Sequence, residues 1–170
     1  RAKTLARRLE PSIVPLVRHP DVAVRTKAIT ILARSRSDAA IDAVVAAAED
    51  QSESVARVAL ASLGARPSQN AVSAVTRILV KNENWAMRIL AAEALGRLGA
   101  AGAPGPAIKG LTEAARHDAY ALVREAALTA LATVDGAKAR ELAASVAGSD
   151  PEPRVRETAR ALASARGGAP

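Results

Sequence analysis

Hydrophobic positions along this chain recur with the spacing of an α-helix. In the stretch 85–95, "WAMRILAAEAL", apolar residues return every three or four positions, which places them on one face of a helix. No segment alternates apolar and polar residues for long enough to predict a β-strand. The pattern therefore predicts an all-α chain.

The same helical pattern occurs five times. The copies "VAVRTKAITIL" (22–32), "SVARVALASL" (54–63), "WAMRILAAEAL" (85–95), "ALVREAALTAL" (121–131) and "PRVRETARALA" (153–163) fall into one register. Their anchor residues are separated by 31, 32, 36 and 32 positions: Val24, Val55, Met87, Val123 and Val155. Each anchor is followed four positions later by Ala, and the first four are followed eight positions later by Leu. Each copy is therefore predicted to be a helix whose buried stripe has a small residue where helices approach most closely.

Further amphipathic stretches connect the copies, at 37–50, 68–82, 106–118 and 137–150. Ser37 and Ser68 are expected N-caps, and Gly64, Gly99 and Gly136 are expected at helix ends or turns. The glycines between 99 and 110 coincide with the longest spacing, so we expect an extended turn there. The predicted fold is an α-solenoid of about five stacked pairs of antiparallel helices.

We predict one solenoid domain over residues 1–166, followed by a flexible tail at 167–170. The second helices of the repeats are expected near 22–35, 53–64, 84–98, 119–133 and 152–166. Residues 1–9 are interpreted as the second half of an earlier repeat. Because the chain opens in the middle of a repeat and begins with Arg1, we expect it to be part of a larger protein.

The repeats resemble HEAT-like repeats, especially the bacterial class also found in phycobilin lyase subunits. That class follows an Asp, turn, Val-Arg, Ala, Ala-Leu-Gly pattern, which "NENWAMRILAAEALGRLG" (82–99) and "HDAYALVREAALTAL" (117–131) match well. The second copy departs from the pattern, since Ala56 occupies the Arg position. The resemblance implies a HEAT-like or armadillo-like superhelix that serves mainly as a binding scaffold.

Charge is unevenly distributed along the 170 residues. The net charge is +7, and residues 1–36 account for all of it with nine Lys or Arg against Glu10 and Asp21. This quarter could bind a polyanion. The cations of that alternative are Arg1, Lys3, Arg7, Arg8, Arg18, Lys27, Arg34 and Arg36. Aromatic residues make up only 1% of the chain, which disfavours single-strand recognition by base stacking.

An acidic or polar residue stands six positions before each Arg of the Val-Arg pairs. One interpretation is a stripe of arginines that contacts phosphates; the other is a structural ladder in which each Arg bonds to a turn residue of its own or a neighbouring repeat. The resemblance favours the ladder. Its predicted members are Arg25, Arg88, Arg124, Arg156, Asp50, Asp118 and Asp150.

No catalytic, metal-binding or cofactor-binding constellation is predicted. Cys is absent, and His19 and His117 lie about three repeats apart, too far to share an ion. The glycine-rich segment after Gly99 lacks the Lys-Ser/Thr of a phosphate loop. No apolar run approaches about 18 residues, so no membrane span is expected. Cytoplasmic localisation is the default expectation.

The predicted function is that of a non-enzymatic scaffold that binds a protein partner, or a neighbouring domain, on a concave face lined by the second helices. Trp85, at the first turn of its helix, is either an exposed binding anchor or a cover over the turn. Two alternatives remain: polyanion binding through the basic quarter, and a regulatory or bilin-lyase-like subunit of an enzyme. The residues expected on the binding face are Lys27, Arg34, Arg57, Trp85, Glu93, Arg97, Glu125 and Arg160.

Overall fold

The computed structural model describes residues 9–35, 37–64, 68–102 and 104–165. In these ranges residues 9–13 are α-helical and lead into a 3-10 helix at Val14–Arg18, and there is no strand. The α-helices that lie wholly within them are α1 (Val22–Leu32), α2 (Asp38–Ala47), α3 (Glu53–Leu63), α4 (Gln69–Lys81), α5 (Trp85–Ala100), α6 (Pro104–His117), α7 (Ala121–Val134), α8 (Gly136–Ser149) and α9 (Pro153–Ser164). The all-α prediction is confirmed, whereas residues 1–8 of the expected half-repeat and the expected tail at 167–170 lie outside the described ranges.

The helices form two layers of a solenoid. The second helices of the repeats contact their neighbours in the order α1, α3, α5, α7 and α9. The first helices α2, α4 and α6 likewise contact one another in order, and consecutive helices along the chain pack together from α1 to α3 and from α4 to α9. We call the surface of the second helices that faces away from the first helices the second-helix face.

Small residues mark the places where the helices come closest. The Ala four positions after each anchor is at most 2% exposed in every copy: Ala28, Ala59, Ala91, Ala127 and Ala159. Leu95, eight positions after its anchor, is fully buried. The stripe read from the sequence is therefore the continuous core of the stack.

Side-chain caps fix where several helices begin. The Ser37 hydroxyl accepts a hydrogen bond from the Ala40 backbone N–H at 3.1 Å, and the Ser68 hydroxyl does the same for Ala71 at 3.1 Å. Asn84 caps α5 in the same way. Each cap satisfies a backbone donor that the first turn of a helix leaves unpaired.

The extended turn expected at the glycines between 99 and 110 is not observed, because among them only Gly102 lies in the short connection between α5 and α6. Helix α5 continues to Ala100 and α6 begins at Pro104, so much of the added length lies within helices. A Cβ on Gly96 would lie 3.1 Å from the Ala130 Cβ, and one on Gly99 would lie 2.7 Å from the Val134 Cγ1. Gly96 and Gly99 therefore let α5 and α7 approach closely. The prediction of a turn did not take this contact between helices into account.

Candidate functional site

An Arg–Asp ladder runs along one edge of the stack. The Arg88 Nε donates to Asp118 Oδ2 at 2.8 Å, and the Arg88 Nη2 donates to Asp118 Oδ1 at 2.9 Å. The Arg124 Nε and Nη2 donate to the carboxylate oxygens of Asp150 at 2.7 and 2.8 Å. Arg25 makes the same bidentate pair with Asp50. In all three cases an Arg bonds the turn carboxylate of the following repeat.

The third guanidinium nitrogen of each Arg binds the turn of its own repeat. The Arg124 Nη1 donates to the backbone carbonyl oxygens of Asp118 at 2.8 Å and Ala119 at 3.4 Å. Arg156 makes the equivalent bonds to Asp150 and Pro151 at 2.7 and 2.8 Å. Each of these turn carbonyls belongs to the residue six or five positions before the Arg. A guanidinium therefore joins two consecutive turns.

Each Arg–Asp pair forms one rung of the ladder. The most buried rung is Arg124–Asp150, and both of its members have shifted pKa values. The side chains of Arg124 and Asp150 are 8% and 6% exposed. The hydrogen bonds that Arg124 donates to Asp150 hold the pKa of Asp150 below its ordinary value, and the same bonds raise the pKa of Arg124. Asp118 likewise raises the pKa of Arg88. Both members of this rung are therefore fixed in their charged forms, and their polar groups are already occupied.

A groove of about 540 Å³ opens on the second-helix face between α5, α7 and α9. Its floor is apolar, and the small side chains there keep it open. The floor residues are Ile89, Gly96, Leu122, Ala126 and Ala130. The rim is polar and charged: Glu93, Arg97, Glu125, Thr129 and Arg154.

The charged residues of the rim differ in how they are engaged. Glu125 accepts hydrogen bonds from Arg154 and from the Thr158 hydroxyl, the latter at 3.0 Å. The Arg97 guanidinium lies against Gly64, where it would collide with any added Cβ, and so faces the C-terminal end of α3. Glu93 has no ion-pair partner among the described residues. The rim therefore offers one carboxylate that a ligand could engage.

The two aromatic residues of the chain meet at one end of this face. Trp85 and Tyr120 stack with ring centroids 6.2 Å apart and an interplanar angle of 17°. They remain 39% and 49% exposed, and the Arg88 guanidinium carbon lies 5.3 Å from the centroid of the Tyr120 ring. Trp85 precedes Ile89 and Glu93 by one and two helical turns on α5. It thus covers the turn of the next repeat while leaving an apolar surface exposed beside the groove.

The structure brings together only part of the predicted binding set. Glu93, Arg97 and Glu125 line the groove, and Trp85 lies on α5 with Glu93 and Arg97. Lys27, Arg34 and Arg160 are exposed elsewhere, and Arg57 forms an ion pair with Glu53 at 2.7 Å. Arg1, Lys3, Arg7, Arg8 and Arg36 of the basic quarter lie outside the described residues.

Sequence reasoning missed the floor of the groove. Ile89 of the floor stands two positions after its anchor, as the predicted rim residue Glu125 does. Thr129, a rim residue that was not predicted, stands six positions after its anchor, as the predicted Glu93 does. Aligning these positions across consecutive copies would have signalled a shared surface. The sequence did not signal the depression itself, because that arises from the close approach of α5 and α7.

The described part of the chain contains no group of three or more His, Asp or Glu residues that could hold a metal ion. None of its helices is long and apolar enough to cross a membrane.

A sequence profile of HEAT repeats matches residues 41–132, which is more than half of the chain. The chain belongs to the HEAT repeat family. The resemblance inferred from the Val-Arg and Ala-Leu-Gly positions is thereby confirmed. No curated protein sequence matches this HEAT repeat chain significantly.

Among the solved structures with a similar fold are two proteins whose repeats stack in the same way as those of this chain. One is a chain in the complex of CpcE and CpcF of phycocyanin lyase from Nostoc sp. PCC7120. It superposes with a TM-score of 0.69 and 18% identity, covering 92% of this chain and 98% of that chain. The other is the designed armadillo repeat protein YIII(Dq)4CqI, with a TM-score of 0.54, 18% identity and coverage of 94% and 85%. At these identities the similarity shows the fold alone.

Proposed function

We propose that this HEAT repeat chain is a non-enzymatic scaffold that binds a segment of a partner protein in the groove between α5, α7 and α9. The observation that carries the proposal is the groove itself, an apolar depression with a charged rim. Apolar floors with a few placed polar groups are the usual form of a binding site. The proposal includes the expectation that the second-helix face is the concave face.

The neighbouring parts of the molecule support this role. The Arg–Asp ladder ties consecutive repeats together, which favours a preformed surface that loses little entropy on binding. Trp85 and Tyr120 add exposed aromatic area beside the groove, and aromatic residues are frequent binding hot spots. The similar phycocyanin lyase chain was solved in a complex of two proteins, which makes a protein partner a reasonable expectation here as well.

A display library of random peptides about ten residues long provides a probe that requires no known partner. An extended peptide of that length reaches about 33 Å, enough to cross more than two stacked helices. Peptides enriched on the wild-type chain would be synthesised and titrated while the fluorescence of Trp85, the chain's single Trp, is recorded. We expect saturable changes in that fluorescence.

Two matched variants locate the binding site. Thr129 is exposed on the rim, so Thr129→Phe fills the groove without disturbing the core. Ala144 is exposed on the first helix α8, so Ala144→Phe adds the same side chain on the other layer. We expect Thr129→Phe to weaken the selected peptides about tenfold or more, which corresponds to about 1.4 kcal/mol, and Ala144→Phe to change their affinity little. A library with no enriched binder, or binders indifferent to Thr129→Phe, would refute the proposed function.

A further inference from the structure

The Arg–Asp ladder is interrupted once, between the second and third copies. Ala56 occupies the position that holds Arg25, Arg88, Arg124 and Arg156 in the other copies. The turn residue that this missing Arg would bond, one repeat further along, is Asn82 instead of an Asp. The cation and its carboxylate are therefore absent together, which avoids an unpaired buried charge.

An open cavity of about 620 Å³ lies at this interruption. We call it the rung gap; among the residues lining it are Asp50, Gln51, Glu53, Ala56 and Asn82. The backbone carbonyls of Asp50 and Gln51 stand six and five positions before Ala56. In the other four copies the corresponding carbonyls accept hydrogen bonds from the Nη1 of the ladder arginine. At the rung gap these two carbonyls accept no hydrogen bond from the described residues.

A guanidinium does not need the carboxylate of a following repeat to occupy such a position. Arg156 has no ion-pair partner among the described residues, yet it donates to both of its turn carbonyls at 2.7 and 2.8 Å. The rung gap offers the same pair of carbonyls. It adds the Asn82 Oδ1, which accepts from the Asn84 N–H at 2.9 Å as the ladder aspartates do from their own turns. The acceptors that hold a guanidinium elsewhere in the stack are thus present here.

We propose that the rung gap binds the guanidinium of an arginine side chain presented by a partner protein. The partner's arginine would occupy the place that an arginine of the chain itself would fill if residue 56 were not Ala. The lining also carries three carboxylates, Glu49, Asp50 and Glu53, and two cations, Arg77 and Lys81. Each carboxylate already bonds an arginine of the chain, so the backbone carbonyls, rather than the net charge of the cavity, are what select a guanidinium. A planar guanidinium fits several acceptors set at fixed angles better than an ammonium group does. The site lies among the turns at the edge of the stack and does not depend on the groove being the principal binding site.

The test is an NMR titration of the isotope-labelled wild-type chain with three probes: Nα-acetyl-arginine methylamide, its citrulline analogue and its lysine analogue. The reporters are the side-chain amide of Asn82 and the backbone amides of Gln51 and Glu53. We expect saturable shifts with the arginine probe in the millimolar range. The citrulline probe should bind about tenfold more weakly, because it has a similar shape without the charge that strengthens the hydrogen bonds. The lysine probe should also be weaker.

A matched pair of variants checks the location of binding. Ala56→Arg places the chain's own guanidinium in the rung gap, and it should abolish the shifts caused by the arginine probe. Ala61→Arg adds the same charge at an exposed position of the same helix and should leave the shifts intact. Shifts of equal size with arginine and citrulline, no saturable shift with arginine, or shifts that persist in a folded Ala56→Arg variant would each overturn the proposal. The comparison of probes uses only the wild-type chain, so it decides the question even if Ala56→Arg does not fold.

Discussion

The losses in the free energy of unfolding caused by single substitutions at Arg124 and Asp150 should add up to more than the loss caused by both substitutions together. Arg124→Ala alone leaves the Asp150 carboxylate, only 6% exposed, without its cation. An uncompensated buried charge of this kind costs about 3–5 kcal/mol. Asp150→Asn alone leaves Arg124 its two turn carbonyls, as Arg156 has, so we expect a smaller cost of about 1–3 kcal/mol.

The double variant reproduces an arrangement that the chain already contains. Ala and Asn at these two positions correspond to Ala56 and Asn82, where the stack continues without a rung. Asn also keeps the acceptor for the turn, since the Asn82 Oδ1 accepts from Asn84 just as the Asp150 Oδ1 accepts from Glu152. We therefore expect the double variant to lose less than the sum of the single losses, by about 2 kcal/mol.

Urea unfolding followed by far-ultraviolet circular dichroism at neutral pH measures all four members of this cycle. The exposed pair Arg77–Glu49 serves as a control, because its side chains are 52% and 48% exposed. The cycle built from Arg77→Ala and Glu49→Gln should give a coupling below about 1 kcal/mol. Additive losses at Arg124 and Asp150, or equal couplings in the two pairs, would show that the rung is not a coupled buried pair.

Three further predictions concern the core, a helix contact and acid stability. Leu95→Ala should lower the free energy of unfolding by about 2–5 kcal/mol because Leu95 is fully buried, whereas Leu122→Ala on the groove floor should cost less in the same urea assay. Gly99→Ala should lower stability by about 1–3 kcal/mol because its Cβ meets α7 at 2.7 Å, whereas Gly105→Ala has no neighbour within 4 Å and should not destabilise; equal effects would contradict the packing. The folded-state pKa of Asp150 lies below its ordinary value of 3.8, so its contribution to stability is present above that pH and is lost as the pH falls through the lowered value. A urea series from neutral to acid pH should therefore show a shallower acid loss in Asp150→Asn than in the wild type, and parallel curves would refute the assignment.

The register of the five copies was readable from the sequence because each copy repeats the same packing requirement. A small residue is needed where helices cross, and in the first four copies a Leu follows one turn further along the buried face. Ala91 and Leu95 satisfy both requirements and are fully buried. Such a constraint lies within one helical period, so periodicity alone reveals it.

The ladder residues were also readable, but their pairing was not. Spacing identified Arg88 and Asp118 as members of the ladder, yet it left open whether each Arg bonds its own turn or a neighbouring one. The structure shows both contacts at once, with the carboxylate on the following repeat and the carbonyls on the same repeat. Which turn lies within reach depends on how the repeats stack, and that is a tertiary property.

The sequence by itself thus determined the helical class, the repeat and the buried stripe, because these follow from residues a few positions apart. Only the tertiary structure decided the groove, the stacking of Trp85 on Tyr120, and the contact of Glu10 with the hydroxyls of Ser35 and Ser37. These features join residues 25 or more positions apart whose separation is fixed by how closely the helices approach. The approach of α5 to α7 rests on the missing side chain of Gly96, whose role became visible only when its neighbour on the other helix was known.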